Sequence, residues 1–295
     1  MRILPQGTLF DSIEHLVTSR AQQELVYANL NNARMVLIAG AKKTGVTRTY
    51  YGILEHISAK QKEVISIEDP VEVVLPRISQ LAAGSKKDSK KLFMQTMLAR
   101  PDVIGLAPFN LAYHAPLFAS IASGTQAVFE TETMQNFITT LENNKLFTTD
   151  IVSALSLIFS HATFRSVDEA EVSKRSLTSS EIATLTKYIS AGECINYLRY
   201  EGAISDSVNK LQDVQITARK KVSVKKRKEK EYRTRYVRGV TTGENILRQA
   251  GSPLNKVQFQ KQARISEKRS VLENALLRSI AGEVCIKDIF KYLNN

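Results

Sequence analysis

The 295-residue sequence predicts an α/β fold: a mostly parallel sheet with helices on both faces, followed by a helical C-terminal subdomain. Three observations point to it. Short apolar runs of strand length recur four times between Met35 and Thr131. The segments between them are polar turns leading into stretches whose apolar residues follow helical spacing. Beyond Leu141 the spacing is helical almost throughout, and strands alternating with helices belong to a layered, mainly parallel sheet.

Taken in order, Leu9, Ile13, Leu16 and Val17 begin a lead helix extending to about Leu30. MVLIAGA (35–41) is an apolar run ending in a glycine, as suits a strand buried on both faces. A helix follows from Thr44 to Ser58, with Tyr50, Ile53, Leu54 and Ile57 on one face. Val64, Ile65 and Ile67 make a second strand, stopped by Pro70. After a turn at 83–87, a helix runs from Asp88 to Arg100, and DVIGLAP is a third strand broken by Pro108. A helix over 116–123 leads to the fourth strand, TQAVFET. DIVSALSLIFSHATF (150–164) and SSEIATLTKYI (179–189) read as helices, and the tail from Ser270 as two helices joined near Gly282.

Composition narrows the class. Hydrophobic residues at 43% and charged residues at 24% are ordinary globular usage, which excludes wholesale disorder. Cys194 and Cys285 are too few for a disulfide scaffold and read as buried apolar residues of a reducing compartment. No secretory h-region opens the chain, and the longest apolar stretch is far short of the ~20 residues of a membrane helix. A cytoplasmic protein, or one peripheral to a membrane, is expected. The net charge of +12 is local: residues 219–238 carry eleven basic and two acidic residues, leaving the rest of the chain at only +3. Lys220, Lys221, Lys225, Lys226, Arg227 and Lys228 are its centre. Such a run binds anionic lipid or nucleic-acid phosphates, with Tyr232 and Tyr236 available to stack on bases, or is a solvated insertion.

The segment LIAGAKKTGVTRTYY follows a strand and opens a helix, the setting of a phosphate-binding loop GxxxxGK[ST]. Gly40, Gly45 and Thr47 fall at its glycine and hydroxyl positions, with Lys43 and Thr44 between them, but the lysine position is Val46. Further on stand Ile67-Glu68-Asp69-Pro70-Val71-Glu72, then Leu75-Pro76-Arg77-Ile78-Ser79-Gln80, then Arg100-Pro101-Asp102-Val103-Ile104.

In order and near-family spacing these segments resemble the motor ATPases of type II secretion, type IV pilus assembly and retraction, and DNA uptake. There the loop is followed by an acidic I-E-D-P-V-E box, L-P-x-I-x-Q and R-x-x-P-D-V-I. Weaker similarity comes from 238–244 and 280–290, so the resemblance covers most of residues 34–164 and patches of 236–293. It implies a RecA-like P-loop NTPase core at 34–165, a lead helix at 1–33 in place of the family's N-terminal domain, and a C-terminal subdomain at 166–295 carrying the basic insertion. It also implies a hexameric ring, of this chain alone or with an active paralogue, and an inner-membrane platform protein as partner. Gly40, Lys43, Thr44, Gly45 and Thr47 would face the nucleotide, and Glu68, Asp69 and Glu72 are the remnant of the acidic box.

The family's chemistry is broken. Its Walker B strand, L-V-G-E-I-R-D, reads Gly105-Leu106-Ala107-Pro108-Phe109-Asn110-Leu111, with Pro108 at the glutamate position. Its His box reads 123–134 with Thr125 and Glu132 where histidines stand. The four-cysteine zinc module is absent. Phosphoryl transfer depends on positioning and electrostatics, and charge-assisted hydrogen bonds are worth about 1.5–3 kcal/mol each, so Val46 alone weakens ATP binding about ten-fold or more. Lys42, Lys43 and Arg48 either reach phosphate from another direction or are solvated charge on a degraded loop. Glu68 and Asp69 either keep residual function or close a strand–turn. Glu130 and Glu132 share a strand face, as an acid/base pair or, preferably, an interface or solvent face. His15, His56, His114 and His161 are scattered, and no zinc site follows.

The expectation is a catalytically degenerate subunit of a pilus or secretion machine, peripheral to the inner membrane, with ATP and Mg²⁺ bound weakly if at all. The alternatives are an active ATPase with relocated residues, using Lys42 or Lys43 for phosphate and Glu68 as base, and a nucleic-acid- or anionic-membrane-binding protein on a dead motor fold.

Overall fold

A computed structural model describes residues 15–84, 86–109, 117–122, 124–167, 172–219, 234–251 and 255–294. The basic centre at 220–228, Tyr232, His114, Asn110 and Leu111 lie outside these residues.

A seven-stranded sheet forms the middle layer, in the order β3-β2-β4-β5-β1-β6-β9. Its strands are β1 (Met35–Ala39), β2 (Val64–Glu68), β3 (Ser79–Ala82), β4 (Val103–Ala107), β5 (Gln126–Thr131), β6 (Leu155–Arg165) and β9 (Thr234–Thr241). Every pairing is parallel except β6 with β9. A separate antiparallel ribbon pairs β7 (Val172–Ser176) with β8 (Gln215–Arg219).

The pleat sorts β1 between two cores. Val36 and Ile38 join the cluster under α1 (Arg20–Leu30) and α2 (Val46–Ser58). Met35, Leu37 and Ala39 join the opposite cluster under α3 (Lys86–Ala99), α4 (Leu117–Ala122), α5 (Met134–Asn143), α6 (Thr149–Ser153) and α9 (Gly243–Ala250). This alternation on a strand buried on both faces is why the run reads as continuously apolar. A third core gathers Phe164, Ile216 and Val237 with α7 (Ser179–Leu185), α8 (Ala191–Tyr200), the second half of α10 (Lys256–Ile280) and α11 (Ile286–Asn294).

Two expectations need correcting. The lead helix begins at Arg20, where Ser19 accepts from the Gln22 N–H as its cap; Leu16 and Val17 are buried ahead of it in non-helical chain. Residues 150–164 are not one helix: α6 ends at Ser153 and β6 runs from Leu155 to Arg165. An apolar run buried on both faces has no periodicity to separate strand from helix, and β6 is such a run. The short strand β3, half-exposed at the sheet's edge, has no apolar run to mark it, and neither have β7, β8 and β9, which interrupt the helical pattern expected beyond Leu141.

Polar contacts seat α1 on the C-terminal half. The Glu201 carboxylate accepts from the backbone N–H of Arg20 and Ala21 (2.6 and 3.0 Å), while Asn274 Oδ1 accepts from those of Thr18 and Ser19. Gln22 Oε1 accepts from Val240 N on the edge strand. At Gly239 the edge strand meets α10 so closely that a Cβ would overlap the backbone of Ser270 and Val271. Gly239→Ala is therefore expected to destabilise the protein by about 1–3 kcal/mol in urea denaturation. Gly192→Ala, on α8 with open space around it, should leave stability unchanged or raise it by up to about 1 kcal/mol.

Candidate functional site

The loop between β1 and α2 brings Gly40, Lys43, Thr44, Gly45 and Thr47 together as the sequence implied. Lys43 (φ 69°) and Gly45 (φ 89°) take left-handed backbone, and Gly45 is the N-cap of α2. The Thr44 hydroxyl donates to the Ala41 carbonyl at 2.7 Å, closing the turn from inside. Gly40 has no room for a Cβ: Thr44 Oγ1, His161 Cβ and Val46 Cγ2 would all lie within 2.7 Å of it. Val46, at the lysine position, buries its side chain in the core under α2. Lys42, Lys43 and Arg48 are exposed.

Two residues beside the loop, His161 and Tyr236, are not assigned to it by the sequence. His161, on β6, is buried and donates from Nδ1 to the Thr44 carbonyl at 3.2 Å. Burial and the neighbouring Arg238 hold its pKa down to about 3, so the ring is neutral. Tyr236, on β9, sets its ring against Gly45, 3.3 Å from where a Cβ would stand. The described end of the basic run is thus part of the loop's surroundings.

The acidic box serves the fold. Glu68 is 1% exposed, and its carboxylate accepts from Tyr51 Oη, from Ser66 Oγ (2.5 Å) and from Gln80 Nε2 (3.1 Å). Gln80 also accepts from Leu75 N and donates to the Val73 carbonyl, and Tyr51 Oη accepts from Glu72 N. The segments I-E-D-P-V-E and L-P-x-I-x-Q therefore clasp one loop between β2 and β3. Asp69 and Glu72 are exposed.

Glu130 occupies the place nearest the loop hydroxyl. On β5 it pairs in register with Ile38, two residues before Gly40. Its Oε1 accepts from Thr47 Oγ1 at 3.4 Å, while Oε2 is buried with no hydrogen-bond partner. Burial, with the negative fields of Glu72 and Glu68, pushes its pKa up to about 7. Glu130 is therefore not on a solvent face, and Glu132, beyond the strand, does not accompany it: Glu132 is exposed. The sequence signal was parity, since Glu130 shares the α2 face with the buried Val128. Pro108 is exposed at the end of β4, and the following Phe109 stacks on Phe129 and Phe137.

Among the described residues no three His, Cys, Asp or Glu side chains are placed to hold a metal by themselves, and no helix is long and apolar enough to cross a membrane. A groove of about 620 Å³ lined by Tyr188, Lys261, Arg264 and Lys268 includes none of the loop residues.

The family model described as type II/IV secretion system protein matches residues 1–289. The type II secretion system protein HxcR of Pseudomonas aeruginosa is 33% identical over 72 residues, 24% of this chain and 15% of that protein. The pilus retraction motor PilT, solved with bound ADP, has a similar fold at 12% identity and a TM-score of 0.56, over 98% of this chain and 68% of that one. The Legionella pneumophila ATPase DotB is similar at 12% identity and a TM-score of 0.56, over 97% and 66%.

The raised pKa of Glu130 carries a sign. The folded state holds the proton up to about pH 7 and the unfolded chain releases it near 4.5. Below 4.5 both states are protonated and the carboxyl costs nothing; as pH rises through 7 the full cost of burying its charge appears. Glu130→Gln should therefore stabilise the protein by about 2 kcal/mol at pH 8 and far less at pH 4.5, read by urea denaturation. An equal effect at both pH values would contradict this.

Proposed function

Because the chain belongs to the type II/IV secretion system protein family, we propose that it is a catalytically degenerate motor-ATPase homologue, a structural or regulatory subunit of a type IV pilus or type II secretion-like machine. Its loop holds ATP with Mg²⁺ weakly and does not turn it over efficiently. The supporting observation is the contrast within one site: the loop keeps its left-handed Gly45 and its Thr47 hydroxyl, while Val46 points into the core where a lysine would meet phosphate. The loop backbone offers N–H groups, but no cation follows them from the usual position.

The remaining losses favour the same reading. Pro108 supplies no carboxylate, and Glu68, the residue of the acidic box that an active site would use as base, is spent on Tyr51, Ser66 and Gln80. That arrangement weighs against an active ATPase with Glu68 as base. The protein would act in a ring, hexameric as the resemblance implies, with itself or with an active paralogue. It would stand at the cytoplasmic face of the inner membrane against a platform protein.

Purified protein assayed beside an active family member should hydrolyse ATP slower by about a thousand-fold or more, the scale on which preorganised charge acts in such sites. Turnover comparable with the active relative, and lost in Glu68→Gln, would overturn the proposal.

A further inference from the structure

Nucleotide sites of this kind hold Mg²⁺ between the loop hydroxyl and an acidic side chain, and the ion bridges and neutralises the β- and γ-phosphates. Mg²⁺ itself asks for one or two carboxylates, phosphate oxygens and waters, so two protein ligands suffice. The loop hydroxyl here is Thr47. On the α2 face of the sheet, beginning beside the loop strand, the neighbouring positions run Glu130 on β5, Ala107 on β4 and Glu68 on β2, given that Leu106 pairs with Phe129 and Ala107 with Glu68. Ala107 and the adjoining Pro108 bring no oxygen, and Glu68 is fully bonded. Glu130 alone of the three has a carboxylate oxygen buried and unpartnered, and its other oxygen already meets Thr47. A hard oxygen pair with one orphaned lone-pair face fits a divalent cation.

We propose that Glu130 takes the part of the missing Walker B carboxylate and, with Thr47, ligates a Mg²⁺ ion shared with the phosphates of a bound nucleoside triphosphate. The inference rests on the reading of the loop as one that binds nucleotide without efficient turnover. The chain thus relocates its metal-holding acid by one strand, from β4 to β5, next to the loop itself. Nucleotide binding then depends on the metal, since no lysine stands at position 46 to offset the phosphate charge. The one carboxylate oxygen buried without a partner is what the ion would satisfy.

The test is calorimetric titration of the full chain with a non-hydrolysable ATP analogue, in Mg²⁺ and in EDTA. Electron paramagnetic resonance of Mn²⁺ with the same analogue gives a second readout that needs no turnover. Wild type is expected to bind about ten-fold or more tighter with Mg²⁺, and Glu130→Gln to lose that gain while keeping its metal-free affinity. The Mn²⁺ signal of the bound complex should disappear in the same variant. Glu63→Gln, before the opposite end of β2, should change neither. Glu130→Gln removes a buried charge and so remains folded, which denaturation checks. A metal-dependent gain that survives in Glu130→Gln, binding indifferent to metal in wild type, or no nucleotide binding at all would overturn the assignment. Rapid turnover would instead overturn the degenerate reading and leave the role of Glu130 to be decided by the metal titration.

Discussion

The pairing of β6 with β1 is the constraint on which the rest of the molecule depends. β6 is eleven residues long where β1 has five, so it covers the phosphate-loop strand and then continues past its end. Its first half, Leu155, Leu157, Ile158 and Phe159, completes the two cores flanking the sheet; its second half, Ala162 and Phe164, opens the third core. The overhang carries His161 beneath the loop and offers β9 an antiparallel edge, which delivers Tyr236 to Gly45. Each fully buried aliphatic or aromatic side chain of β6 contributes about 1.5–3 kcal/mol. Losing this strand would remove both the wall of the loop and the seat of the C-terminal half.

The acidic residues around the loop have divided their duties. Glu68 has become a brace: three donors converge on it, and one of them, Gln80, also closes the chain between Val73 and Leu75. A carboxylate so placed fixes the loop's shape, and withdrawing its oxygens from these bonds would strand buried donors. Glu130 is the reverse case, a half-buried carboxyl with one oxygen buried and without a partner. Folding tolerates such a group where a ligand compensates it, and structural expense of this kind concentrates at functional sites.

The loop keeps the scaffold features of its motif without the lysine. Backbone turn, left-handed glycine and hydroxyl are scaffold features that also start α2 correctly. The lysine contributes nothing to that packing, and Val46 in its place adds apolar contact under α2. Core packing therefore rewards the substitution that phosphate binding would resist. The same holds for Pro108, which ends β4 and admits the Phe109–Phe129–Phe137 stack.

The sequence by itself determined four of the parallel strands. MVLIA, VISIE, VIGLA and QAVFET are short apolar runs bounded by turn residues, and their strand length is legible without any partner. It determined the loop too, because Gly40, Gly45 and Thr47 are backbone and spacing requirements local to eight residues. Tertiary structure alone decided β6, since a run apolar on both faces is a strand only when sheets and helices close over it. It also decided which carboxylate lies against the loop hydroxyl. Spacing pointed to Glu68, whereas register across β1 and β5 put Glu130 against Thr47, and register is a long-range property that no local pattern encodes.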